Sequence, residues 1–561
     1  MTPPSLERWI ARVGADMDAP QVAMLGHPEH VLPLEEGVPS PPPGATVEVY
    51  RTAQNTAHII RVLAQPDTAR SALYDLLEEH GVRVLFPAAV LAETEALVES
   101  PGLDDPELLD WTALPFVTID NDNSRDLDQA LYLVRHDGGY RFCYALADAA
   151  YYVRPGTALF EEALARGSSY YLPGMSVPML PRALSEGLVS LNAEQHRRAL
   201  VFEALLGPLG ETLQARFVRA RIRSRRKLTY KGVQAFHDAG CAGPLAHQEF
   251  TDSLVLMGEL GELLMARADE RNVIRFDRTS AHITLADDGN RFLPVLERRN
   301  RVERWNEQLS LLCNMEGSRL LSVPEEPHVQ PIFKVHPRPS ASQLQTLQER
   351  LDALVEVLGL ESRLWSWDGA EPLADYIARL PRSPQTARLR AAVERQAMLL
   401  GSASSFSLEK GPHFGLAADE YGRFSSPMRE IVGIFTHKEL IEKIAGFGTP
   451  EDNARDEELR EVVIDAGNRS RNVQRRLSRQ IHKLALDQWF AADLELPLEQ
   501  RPVHEGTVLG IRSSRVYVQL DDPPLEFKIY AQHLAEWDGG AVEVHSKRVQ
   551  LVRATGALLR L

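Results

Sequence analysis

The 561 residues carry 62 Lys and Arg against 78 Asp and Glu, a net charge of −16, with 44% hydrophobic and 25% charged residues. This composition belongs to a globular chain of several domains and excludes a fibrous or largely disordered one. No apolar run reaches the roughly 18 residues of a spanning helix, and the opening MTPPSLERWIARVG lacks the basic end and apolar stretch of a signal peptide, so no membrane partner and a cytoplasmic location are expected. Cys143, Cys241 and Cys313 are too few and too scattered for a disulfide framework or a CxxC knuckle, which leaves oxygen and histidine as metal donors.

Residues 1–107 read as a separate unit holding 6 Lys and Arg against 17 Asp and Glu, so its −11 leaves only −5 for the rest. Its breaks are GVPSPPPG (37–44) and SPGLDDPE (100–107). TARSALYDLLEEHG puts Leu73, Leu76 and Leu77 on one helical face and stops at Gly81, and Pro87 suits the first turn of a second helix through Leu97. The pattern predicts a helix-turn-helix-like domain, with short β-runs at 45–50 and 57–63 as a wing. Its acidity favours structural support or partner docking over a grip on nucleic acid.

Residues 108–495 show no linker or internal repeat and predict one large mixed α/β domain, mostly helical in its second half, as in SQLQTLQERLDALVEVLG (342–359). Near its start, FVTIDNDNSRDLDQALYLV (116–134) packs Asp120, Asp122, Asp126 and Asp128 behind a strand-like run. Alone, this is as well read as a solvated acidic loop as a site. A calcium loop fails because Arg125 stands where glycine is needed and Leu131 where Glu is needed. A haloacid-dehalogenase-type phosphatase, with Asp120 as nucleophile, needs a helix next, whereas ALYLVRHDGGYRFCYALAD alternates as two strands around Asp137-Gly138-Gly139. Residues 501–561 (EGTVLGI, RVYVQLDD, LEFKIYA, AVEVHSKRVQLV) predict a small antiparallel barrel of the OB or S1 kind, with Arg515 and Tyr517 as an RNA-stacking surface.

TIDNDNSRDLDQAL, followed in order by YALADAAYYVRPGT, YYLPGMSVPMLPRALSEGLVSLNAEQHRRAL, VHPRP, GPHFGL and YGRFSSPMRE, resembles the ribonuclease II/RNase R (RNB) family over roughly residues 115–437. The resemblance implies a multidomain α+β protein with an RNB catalytic domain. It further implies a 3′→5′ exoribonuclease, acting as a monomer, that hydrolyses single-stranded RNA to 5′-nucleotides with Mg²⁺, or Mn²⁺. Carried over residue by residue, Asp120 and Asp126 resemble metal-binding carboxylates and Asp128 the aspartate on which the chemistry most depends. Tyr171 resembles a base-stacking tyrosine, and Arg429 an arginine that holds phosphate near the bond being cut.

The chain departs from the pattern at three places. Gln129 replaces the fourth carboxylate and is a weaker metal ligand, with Asp122 as the compensating candidate; Gly433 stands at an aspartate and His482 at a glutamate. These departures motivate a rival, an RNA-binding protein of the same fold with weak or lost catalysis. Two acid-free basic stretches, 214–231 and 468–483, place Arg219, Arg221 and Arg223 on one strand face, and Arg475 and Arg479 on one helix face. All five are expected to line an RNA channel.

Overall fold

A computed structural model describes every residue except 1–6, 17–19, 36–38, 277–279, 323–328, 447–449, 498–499, 501, 503, 513–514, 522–524, 531–541, 544–549 and 555–561. The first strands are β1 (Arg8–Val13), β2 (Gln21–Met24), β3 (His27–Pro33), β4 (Thr46–Arg51) and β5 (Ala57–Ala64), in one sheet ordered β3-β2-β1-β4-β5. A parallel bridge between Leu34 and Ala57, with Glu35 N–H donating to Ala57 O at 3.1 Å, joins the two edges. The result is a five-stranded barrel with OB-type pairing around Ala11, Val13, Val22, Val47 and Val49.

This corrects the helix-turn-helix expectation. The two helices do form, at Ala69–Glu79, capped by the Thr68 hydroxyl, and at Ala88–Glu99 after Pro87. They bury against different partners. Leu73, Leu76 and Leu77 share a core with Val473, Leu477 and Ile481 of the helix Pro450–Trp489, while Val90 joins the core of the central domain. A pair that divides its apolar faces in this way is not a self-contained recognition module.

The central domain is built on β6 (Leu109–Asp110), β7 (Phe116–Asp120), β8 (Gln129–His136), β9 (Gly139–Ala147), β10 (Tyr170–Leu172), β11 (Met175–Val177), β12 (His196–Leu206) and β13 (Thr212–Thr229). β10 and β11 form their own hairpin; the others form the sheet β12-β9-β8-β7-β13-β6. β13 is 18 residues long, pairs antiparallel with β12 from Thr212 to Arg223 and parallel with β7 from Ser224 to Thr229, with a register shift at Ser224/Arg226 inside the second pairing, so the sheet closes. The expected β8–β9 hairpin is present, its turn made by Asp137 and Gly138 at φ of 46° and 79°, the left-handed pair a two-residue hairpin needs. An antiparallel strand after the aspartates, in place of a helix, sets the phosphatase reading aside.

Helices Thr251–Glu270 and Arg301–Leu321 cover one side of this sheet through Leu254, Met257, Leu260, Trp305 and Leu309. The expected helix of the second half runs Ala341–Leu358, with a Ser340/Gln343 capping box and a left-handed Gly359 at its end.

At the C-terminus, strands His504–Arg512, Arg515–Leu520 and Glu526–Tyr530 form a meander, but His504–Arg512 pairs parallel with Gln550–Ala554, unlike the antiparallel β1–β4 pairing of the N-terminal barrel. Tyr517 is no stacking platform: it is buried against Leu399 and Leu509, with the Arg395 guanidinium 4.8 Å from its ring centre. Among the described residues no helix is long and apolar enough to cross a membrane.

Candidate active site

Asp120 ends β7, and the chain then makes a tight loop before β8 begins at Gln129. Four polar anchors fix that loop. Asp120 Oδ1 accepts from Asn121 N–H at 2.7 Å and from the Ser124 hydroxyl at 2.8 Å. Lys227 Nζ donates to the carbonyls of Asp122 and Ser124, Ser190 Oγ donates to Arg125 O and accepts from Leu127 N–H, and Ala147 N–H donates to Asp128 O. The acidic loop is therefore a rigid turn whose main chain, not its charge, is satisfied locally.

Three of its carboxylates converge on Arg429, which precedes the helix Ile431–Ala445. Arg429 Nε lies 2.5 Å from Asp128 Oδ2 and 3.3 Å from Asp126 Oδ2, and Nη2 lies 3.6 Å from Asp120 Oδ2. Nη2 also donates to Asp126 O at 3.2 Å, while Nη1 makes no hydrogen bond among the described residues. Asp128 is 1% exposed; its Oδ1 accepts from Met428 N–H at 3.1 Å, and its Oδ2, shut off from water, has only the ionic contact to Arg429. Burial pushes the Asp128 carboxyl up to about 6 against the pull of Arg429 and the Met428 N–H, and the charges of Asp126 and Asp120 add to the rise. Burial works against the charge of Arg429, but Asp128 and its neighbours outweigh it and raise its pKa.

Tyr171 stands on β10, a short strand held from outside: its N–H donates to Gln474 Oε1 and its carbonyl accepts from Gln474 Nε2, both at 2.9 Å. Tyr171 is 49% exposed, unusual for so large a residue in a structured region. It shares with Asp126, Ser169, Arg182 and Met428 a cleft of about 190 Å³. Tyr230 lies within the electrostatic reach of Asp120, its hydroxyl accepting from Asn306 at 3.0 Å and raised to about 12 by burial and then by Asp120.

Two of the three departures, Gln129 and Gly433, touch the loop that carries Arg429, while His482 lies on the helix Pro450–Trp489. Gln129 Nε2 donates to the carbonyl of Ser425, a contact no carboxylate could make. A side chain at Gly433 would have its Cβ 3.1 Å from Pro427 Cα and 3.2 Å from Ser426 O, so the loop lies close on the helix that follows it. Asp122 does not join the three carboxylates: its side chain is exposed, and the contact recorded for it is through its carbonyl.

Asn314, which sequence reasoning missed, anchors the same loop. It is 1% exposed; its Oδ1 accepts from Phe424 and Ser425 N–H at 2.8 and 3.1 Å, and its Nδ2 donates to the Tyr421 and Ser425 hydroxyls at 2.9 and 3.0 Å. The signal was available: a lone amide in the otherwise apolar helical stretch LLCNM calls for buried partners.

The basic strand is corrected. Arg219 pairs with Asp105 at 2.9 Å and Glu107 at 2.5 Å, Arg221 with Asp110 at 2.6 Å, and Arg223 lies 3.9 Å from Glu194. Asp105 also pairs with Arg198, whose side chain is wholly buried against Asp148. The strand's charge thus clamps the acidic exit segment 103–110 to the sheet and leaves little for a phosphate backbone. Arg475 and Arg479 are exposed on the helix Pro450–Trp489, with no carboxylate paired to them among the described residues.

The carboxylates of Asp120, Asp126 and Asp128 offer the donor chemistry of a hard divalent cation, being oxygen donors around one positive group with one buried oxygen free of hydrogen bonds, but held around Arg429 they stand wider apart than a single ion requires. Among the described residues the acids that do lie close enough to hold an ion are Glu439, Glu442 and Asp456, but Lys438 Nζ contacts all three, at 3.1, 2.8 and 2.8 Å.

The RNB-domain family model matches residues 109–444. The chain belongs to that family. This RNB protein is 27% identical over 482 residues to ribonuclease R of Escherichia coli, an alignment covering 84% of this chain and 57% of that protein, so the chain spans little more than half the length of this relative. It is 26% identical over 524 residues to exoribonuclease 2 of Aeromonas hydrophila, covering 90% of this chain and 72% of that one. Its fold matches Mycoplasma genitalium RNase R in complex with ribose-methylated single-stranded RNA, with a TM-score of 0.74 and 19% identity, over 98% of this chain and 85% of that one.

Proposed function

We propose that this RNB protein is a metal-dependent 3′→5′ exoribonuclease that hydrolyses single-stranded RNA to 5′-nucleotides. The observation that carries the reading is the convergence of Asp120, Asp126 and Asp128 on Arg429, beside the exposed ring of Tyr171. The three carboxylates would hold Mg²⁺, or Mn²⁺; bound there, such an ion supplies positive charge at a phosphoryl oxygen and acidifies a water.

The remaining work falls to the chain. Arg429 keeps Nη1 free to meet a phosphate oxygen as its other nitrogens hold the carboxylates. Asp128, buried and with one oxygen free of hydrogen bonds, helps to hold the ion and orients the attacking water. A base stacked on Tyr171 gains about 1–3 kcal/mol whatever its identity, which suits an enzyme that must advance along any sequence. Arg475 and Arg479 supply positive surface for the incoming strand.

The test is digestion of a 5′-labelled oligoribonucleotide with Mg²⁺ or Mn²⁺, comparing Asp128→Asn. Stepwise shortening from the 3′ end with mononucleotide release, lost in the variant, is expected. Intact RNA under both metals would overturn the assignment.

Gln129 favours a second reading, an RNA-binding protein of this fold with weak or lost catalysis, because one carboxylate is gone and its replacement is committed to Ser425. RNA binding without nucleotide release would identify that case.

A further inference from the structure

We propose that Lys334, Arg471 and Arg423 form a second anion subsite, which takes a phosphodiester group of the same RNA strand away from the one at Arg429. This rests on the reading of the protein as an RNA exonuclease. Lys334 lies on the strand Phe333–Val335, in register with Phe406 of Ser405–Ser407. Its Nζ is 5.7 Å from the centre of the Phe406 ring, and the Arg471 guanidinium is 5.4 Å from the same ring. Phe406 is 4% exposed, so it is the floor of the subsite and not a stacking surface. The two cations flank one apolar floor, the arrangement that leaves their charged ends side by side.

Neither cation is neutralised. No carboxylate is paired with Lys334 Nζ among the described residues, and burial followed by the nearby Arg423 lowers its pKa to about 8. Arg471 gives Nη2 to Ser404 Oγ at 2.9 Å, while Nη1 is shut off from water with no hydrogen-bond partner. The one acid felt by both, Glu430, is held by Arg423 at 2.6 Å. His413 adds no charge, since burial and then His336 lower it to about 4. Three cations against one carboxylate, with an orphaned buried donor among them, call for an anion.

The chain connects this subsite to the active site on two sides. Glu430 directly follows Arg429, and Gln474, which grips the main chain of Tyr171, lies three residues beyond Arg471 on one helix. Lys334, Arg423, Glu430 and Arg471 are all partly exposed, so a ligand reaches the group through their open atoms and not through the shut-off Arg471 Nη1. A strand stacked at Tyr171 and held at Arg429 passes within reach of a second phosphate contact.

The experiment measures equilibrium binding of a single-stranded RNA of about 20 nucleotides, in EDTA to prevent cleavage, across a salt series for the full chain and for Lys334→Met and Arg471→Met, whose side chains still cover Phe406. Each variant should weaken binding roughly 3- to 30-fold and reduce the slope of log K against log salt by about 0.7, the value for one lost phosphate contact on a single strand. Lys334→Arg, with its charge retained, should keep the wild-type slope and guards against loss of fold as the cause. Unchanged slopes in both Met variants, with wild-type binding intact, overturn the subsite alone. No RNA binding by the wild type overturns the exonuclease reading and the subsite with it. If inorganic phosphate competes better against wild type than against Lys334→Met while the RNA slopes stay equal, the site takes a free anion and the assignment to RNA fails.

Discussion

Arg429 and Lys438 each stand among three carboxylates, yet they leave their surroundings in different states. Lys438 joins Glu439 and Glu442 of its own helix to Asp456 of the next, and its three N–H donors match three acceptors. That cluster ties two helices together and has no positive charge to spare. Arg429 meets its aspartates through Nε and Nη2, its Nη1 makes no hydrogen bond among the described residues, and Asp126 beside it shares a cleft with the exposed Tyr171. The two clusters teach that a count of acids does not separate a structural knot from a proposed reaction centre. What separates them is whether the central cation is saturated.

The largest effect expected is on Asp128→Asn, which should lower nucleotide release by about a thousandfold or more while RNA binding stays within a few-fold. Glu442→Gln, its counterpart in the other cluster, should leave release per folded molecule unchanged; a rate assay on both variants checks this. Lys438→Met should cost about 3 kcal/mol or more in chemical denaturation, because it strands largely buried carboxylates, and should spare the rate.

Arg429→Lys keeps the charge but loses the planar fork, so single-turnover cleavage should slow by about 10- to 100-fold. Gln129→Asp restores the family's carboxylate and should tighten divalent-ion binding. It should still slow turnover several-fold, about a tenfold loss at most, because it faces the Ser425 carbonyl with oxygens and loosens the loop that carries Arg429. A faster Gln129→Asp enzyme would show that ligand count, not loop position, governs the rate.

The smallest effect is on stability against pH. Asp128 holds its proton more tightly folded than unfolded, so its contribution is complete below the ordinary aspartate range and is lost as pH rises through about 6. Thermal unfolding without divalent ions should show stability declining across that window, and Asp128→Asn should remove that part of the slope.

Much of the centre was legible because it is local. Asp120, Asp126 and Asp128 lie between two adjacent strands, Asp137-Gly138 is a turn by its own backbone preferences, and Ser340, Gln343 and Gly359 mark a helix at both ends. Arg429 was legible only through its motif, since a contact across 301 residues has no periodicity. The arginines of β13 misled because alternation reports a shared face and not what covers it: Asp105, Glu107 and Asp110 arrive from more than a hundred residues earlier. The N-terminal barrel was hidden because β3, HPEHVLP, is almost wholly exposed, so its apolar alternation is weak. Beside it, the strong helical face of Leu73, Leu76 and Leu77 dominated the pattern.

The most direct measurement is calorimetric titration of Mn²⁺ into the wild type, Asp126→Asn and Glu442→Gln. The account predicts binding to the wild type that Asp126→Asn abolishes or weakens at least tenfold and Glu442→Gln leaves unchanged. Binding lost in Glu442→Gln and retained in Asp126→Asn would contradict it.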